Sequence, residues 1–125
     1  VTVFNDTGQV VPLSDLSLRY WFAENPNTVA AVVDWALLGN GHIQTAIHAD
    51  PRAQQGGYIA ITFDSGSGDL PAYGTTGPIL VRYHRGDWAP VDPRHDFSYS
   101  SSQTDVTATR IDLYQNGRLV WGSLP

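Results

Sequence analysis

The chain has 125 residues, 42% of them hydrophobic and 15% charged, with a net charge of −5. That is a size suited to one domain, with enough apolar surface for a core and too little charge for a disordered segment. All seven basic residues are arginines and acids outnumber them, which argues against nucleic-acid binding and against a polybasic membrane patch. The absence of cysteine excludes disulfide scaffolds, cysteine zinc sites and thiol nucleophiles, and no apolar run nears the roughly 20 residues that span a bilayer.

The pattern is mostly β. The chain opens in mid-pattern at Val1-Thr2-Val3-Phe4, which reads as a strand and suggests a module, residues 1–125, taken from a longer protein. Leu16–Phe22 alternates, with Leu16, Leu18, Tyr20 and Phe22 on one face and Ser17, Arg19 and Trp21 on the other. Thr28–Gly39 is ambiguous. Val29, Val32, Val33 and Leu37 have helical spacing, with Thr28 as a cap and Gly39 as a stop, yet a buried strand serves equally. Ile43–His48, Tyr58–Phe63 and Pro78–His84 read as further strands. Ala108–Tyr114 leads through Gln115-Asn116-Gly117 into Leu119–Trp121, and Asn-Gly between such runs signals a hairpin because both residues tolerate positive φ. Asp64–Asp69 and Ala89–Asp96 read as loops. Short strands with regular turns point to an antiparallel β-sandwich.

No catalytic motif stands out. The four histidines lack HxxxH spacing, and there is no nucleophile elbow, phosphate loop or HExxH; an enzyme is not expected. His48 and His84 are expected at strand ends or on a solvated face. The tryptophans say more. Trp88 sits in the polar run Arg85-Gly86-Asp87-Trp88-Ala89-Pro90, either folded back on the core or exposed as a platform for sugar rings, whose C–H faces stack on an indole. Trp35, beside Asp34, has the same two readings. Trp121 reads as core, and Trp21 suits either side. Asp92, His95 and Asp96 make an oxygen-rich loop, and Glu24-Asn25 an acidic turn. Together they supply oxygens of the kind calcium takes, roughly six to eight per ion, or they are two solvated turns.

Five blocks carry a resemblance: Val11-Pro-Leu-Ser-Asp-Leu-Ser-Leu-Arg-Tyr-Trp-Phe, Val33-Asp34-Trp35-Ala36, Val81-Arg82-Tyr83-His84-Arg85-Gly86-Asp87-Trp88, His95-Asp96-Phe97-Ser98-Tyr99, and Leu113-Tyr114-Gln115-Asn116-Gly117-Arg118-Leu119-Val120-Trp121-Gly122. In order and content the chain resembles a family 3 carbohydrate-binding module, the cellulose-binding module of bacterial cellulases and cellulosomal scaffoldins. The resemblance implies a jelly-roll β-sandwich of about nine strands and turns Thr28–Gly39 into a strand. It implies a flat strip of Asp34, Trp35, Arg82 and Trp88 lying on crystalline cellulose, with an Asp34–Arg82 bridge holding a planar guanidinium level with the two indoles. It also implies a structural calcium near Glu24, Asn25, Asp92, His95 and Asp96. Ala23-Glu24-Asn25 stands where the family usually has Thr-x-Asp, the Leu37–Gly41 loop lacks a further strip tyrosine, and a stretch that usually precedes Val1 is missing. The expected protein is a secreted, extracellular, non-catalytic monomer attached to catalytic or scaffold modules. A helper module of the kind fused to family 9 glycoside hydrolases and a structural or biomass-sensing domain are the alternatives.

Overall fold

The computed structural model describes residues 1–125. Nine strands follow one another: β1 (Val11–Pro12), β2 (Leu16–Phe22), β3 (Val29–Ala36), β4 (Ile43–Ala49), β5 (Gly57–Phe63), β6 (Asp69–Leu70), β7 (Ile79–Arg85), β8 (Ile111–Gln115) and β9 (Arg118–Trp121). Five short 3-10 turns separate them, and there is no α-helix. Every pairing is antiparallel. One sheet has the order β4-β5-β2-β8-β9, a second pairs β3 with β7, and a third pairs β1 with β6. This is the expected jelly-roll sandwich.

Alternation explains the layering. On β2, Leu16, Leu18 and Phe22 are buried in the core with Ile59, Ile61 and Phe63 of β5. The second sheet closes over them with Ile79 and Ala36, and Val29, Ala31, Val33, Val81 and Tyr83 pack alongside. Thr28–Gly39 is therefore mostly strand. Val29, Ala31 and Val33 point inward while Ala30 and Val32 are exposed, a period of two that a helix cannot produce. Thr28 does not cap a helix; its hydroxyl donates to the Asn25 carbonyl at 2.8 Å within a 3-10 turn.

The outward face of β2 carries a small second layer. Trp21 is fully buried there, with the Tyr58 ring 5.0 Å away and the Arg52 guanidinium 5.4 Å over it. Its indole N–H donates to Asp112 Oδ2 at 2.7 Å. Arg19 lies between the rings of Tyr58 and Tyr114, at 4.5 and 4.1 Å from their centroids.

Three expectations need correction. Val1–Phe4 is extended but forms only an isolated bridge, Phe4 with Thr75; its backbone bonds go to Thr76 and Ile79 instead of to a full ladder. Trp121 is not core: it is 49% exposed, because β9 is an edge strand, and its indole N–H ties down the Ala108 carbonyl at 2.8 Å. The strand expected from Ala108 begins only at Ile111. The Asn-Gly hairpin forms as expected, with φ of 51° at Asn116 and 78° at Gly117. Replacing Trp21 by Ala removes a buried indole and strips Asp112 of its donor, so chemical denaturation should register a loss of about 3–5 kcal/mol.

Candidate functional site

The outward side of the two-stranded sheet carries the expected residues, and a β-bulge puts them there. Val33 pairs with Val81, but Trp35 pairs with Leu80, so Asp34 is one residue more than β7 matches. A regular strand would send Asp34 and Trp35 to opposite faces. The extra residue lets both point outward, and both are exposed. Asn40 closes the bulge. Its side-chain oxygen accepts the Ala36 N–H at 2.9 Å, and its amide donates to the carbonyls of Asp34 and Val33 at 3.1 and 3.4 Å. The bulge thus keeps its backbone groups paired without a ladder partner.

Arg82 projects from β7 on the same side. Its Nε donates to Asp34 Oδ1 at 2.8 Å. Both side chains are about half exposed, 53% for Arg82 and 43% for Asp34, so the bridge contributes little to stability. What it does is hold a planar guanidinium in one place.

Trp88 comes from the turn that ends β7. Its N–H donates to the Arg85 carbonyl at 3.0 Å, and its φ is 60°. Asp87 braces the turn: its carboxylate accepts two N–H groups of Arg85 at 3.1 and 3.0 Å and the Ala89 N–H at 3.0 Å. The Arg85 bonds hold the Asp87 carboxyl below the usual carboxylate range. The turn carries the Trp88 indole back over β7, where it stacks on His84 with centroids 3.9 Å apart and planes 3° from parallel.

Asp34 and Arg82 are therefore in contact, and Trp35 and Trp88 lie towards opposite ends of one outward face. Trp35 is 47% exposed and Trp88 67%; neither folds back on the core. From Leu80, opposite Trp35, to His84, beneath Trp88, is four residues along one strand, or about 13 Å. Val32, between them, and Leu80, beside Trp35, add exposed apolar surface. Sequence reasoning missed these two and the roles of His84 and Asn40. The alternation of β7 was a signal for Leu80 and His84, since both share the parity of Arg82. By contrast, a concavity of about 460 Å³ lies between the sheets among side chains such as Tyr20, Ile59, Ile61 and Val81.

A family model described as "Cellulose binding domain" matches residues 1–122. The chain belongs to that family, the family 3 carbohydrate-binding modules. It is a carbohydrate-binding module and not a catalytic domain. It is 35% identical over 129 residues to Endoglucanase 5 of Pectobacterium carotovorum subsp. carotovorum, spanning all of this chain (100%) and 26% of that protein. It is 34% identical over 117 residues to Endoglucanase A of Paenibacillus lautus, spanning 92% of this chain and 17% of that one. Among solved structures, the carbohydrate-binding module from the cellulosomal cellobiohydrolase 9A of Clostridium thermocellum superposes with a TM-score of 0.89 at 25% identity. That match covers 99% of this chain and 84% of the other.

The side chains of the five residues expected around calcium are engaged with other groups in this module, apart from that of His95. Asp92 is closed by Arg94, whose Nε and terminal nitrogen donate to its two oxygens at 2.8 and 2.7 Å; these bonds hold its carboxyl far below the usual range. His95 has its nearest charged contact 3.9 Å away, at the same Asp92. Glu24 already faces a cation, the Arg85 guanidinium at 3.8 Å. The Asn25 side-chain oxygen accepts the Asn27 N–H at 3.0 Å. Asp96 is buried; its Oδ1 accepts the Ala23 N–H at 2.9 Å, and its Oδ2 accepts the hydroxyls of Tyr20 and Tyr83. Nowhere do three His, Asp or Glu side chains come together as a metal site. Asp96 thus joins the loop to β2 and β7 through hydrogen bonds.

Two outcomes follow from this corner. Chelation with EDTA should leave the melting temperature unchanged; a rise of several degrees on adding calcium would show that the corner takes up the ion after all. The second concerns alkali. Burial, then the charge and hydrogen bonding of Asp96, push both the Tyr20 and Tyr83 hydroxyls far above their ordinary 10. Unfolding releases protons that the folded form keeps, so stability should fall as pH rises through 10. Urea titrations across that range should give a shallower fall in the Tyr20→Phe/Tyr83→Phe variant.

Proposed function

We propose that this module binds crystalline cellulose through the outward face of β3 and β7, without catalysis. It thereby brings attached catalytic or scaffold modules to insoluble plant cell-wall polysaccharide outside the cell. The observation that carries this reading is the pair of exposed indoles, Trp35 and Trp88, on one sheet face with the Asp34–Arg82 bridge between them. The relatives named as endoglucanases and the cellobiohydrolase module support it.

The chemistry suits the ligand. Pyranose rings present apolar C–H faces, and an indole offers a flat, rigid, polarizable surface to them. The guanidinium of Arg82, held by Asp34, adds a third flat element, and its remaining N–H groups can donate to sugar hydroxyls. Asp34 and Arg82 neutralise each other, which matches an uncharged polysaccharide. An open, flat face suits the flat surface of a crystal, whereas one soluble chain would be better enclosed in a cleft.

Trp88→Ala tests the proposal. By analogy with aromatic–base stacking, each indole contributes about 1–3 kcal/mol, so adsorption to microcrystalline cellulose should weaken about five- to more than a hundredfold. The melting temperature should hardly move, because the side chain is exposed. A folded variant that adsorbs like the parent would remove Trp88 from the site.

A further inference from the structure

We propose that His84 is a positioning residue of this binding face, the platform that keeps the Trp88 indole flat. The inference rests on the cellulose-binding reading above. Trp88 is the most exposed tryptophan, at 67%, so core packing does not orient it. Its turn is well braced, but those bonds fix the backbone and leave the side-chain torsions free. The contact that selects one indole orientation is the imidazole of His84, parallel within 3° at 3.9 Å.

His84 is in turn fixed. It stands on the outward face of β7, directly across from Ala30, whose methyl leaves room for a ring. Its Nδ1 lies 2.9 Å from the Arg85 carbonyl oxygen. A carbonyl only accepts, so Nδ1 carries the proton and donates it there. That bond sets the plane of the imidazole, and the imidazole sets the plane of the indole. One indole face is thereby spent on His84 and the other is left for sugar. Without the platform the indole samples other rotamers, and binding must then order it. Ordering one such side chain corresponds to about a two- to tenfold loss of affinity.

The test is a cycle of adsorption isotherms on microcrystalline cellulose. His84→Ala should weaken adsorption two- to tenfold at an unchanged melting temperature. His84→Phe, which restores a flat ring, should recover the loss. His84→Ala added to Trp88→Ala should cost nothing further, because a positioning residue acts only through the group it positions. Indole emission, taken as the difference from Trp88→Ala, should change in His84→Ala as the stack is lost, independently of cellulose. If Trp88→Ala loses adsorption but His84→Ala does not, the positioning role is overturned and the binding face stands. A further loss in the double variant also overturns it, since His84 would then touch the ligand itself. If Trp88→Ala adsorbs like the parent, the binding reading fails at its own step, while the emission difference still reports on the stack.

Discussion

Asp34 is one residue more than β7 has partners for, and the outward face of the smaller sheet is built on that mismatch. In an even ladder an outward carboxylate at Asp34 would drive the Trp35 indole inward, and an outward indole would bury the carboxylate. The bulge removes the choice. Both side chains face solvent, and the strand re-enters phase so that Val33 before it and Ala36 after it still face the core. Asn40 makes this stable by accepting and donating where the ladder does not.

The same alternation couples the face to the interior. On β7, Ile79, Val81 and Tyr83 point into the sandwich, and Leu80, Arg82 and His84 point out. Tyr83 lies between the two polar members of the face. Its ring packs 5.6 Å from Phe22 and its hydroxyl bonds to Asp96. A two-stranded sheet is marginal alone; here its inward residues are held by a core and by a buried carboxylate. The Asp96 network ties β2, β7 and the loop of residues 92–96 together through hydroxyl and amide donors.

Much of this was legible in the sequence. Leu16, Leu18 and Phe22 declare a half-buried strand by alternation, and Asn116-Gly117 declares a hairpin by the φ values it permits. Asp34 and Arg82 are indeed partners, and Trp35 and Trp88 indeed exposed, although their chemistry alone left both tryptophans open between core and surface. What was not legible depends on placement. A bulge has no periodic signature, so Asn40 looks like an ordinary loop residue until its three bonds are seen. Trp121 reads as core because Leu-Val-Trp is apolar, yet β9 has no strand beyond it to cover its side chains. The tyrosines of β2 and β7 give no sign that they converge on Asp96, since 76 and 13 residues separate them from it. The stack of Trp88 on His84 needs a turn with φ of 60°, which the residue type itself disfavours.

The face is proposed to recognise a surface and not a single chain. This is tested most directly by measuring the intact module against crystalline cellulose and against soluble cello-oligosaccharides under the same conditions. Saturable adsorption to the crystal that excess soluble oligosaccharide does not displace, and no measurable heat on titrating the oligosaccharide alone, are the expected results. Tight binding of the soluble chain, with complete displacement from the crystal, would contradict it.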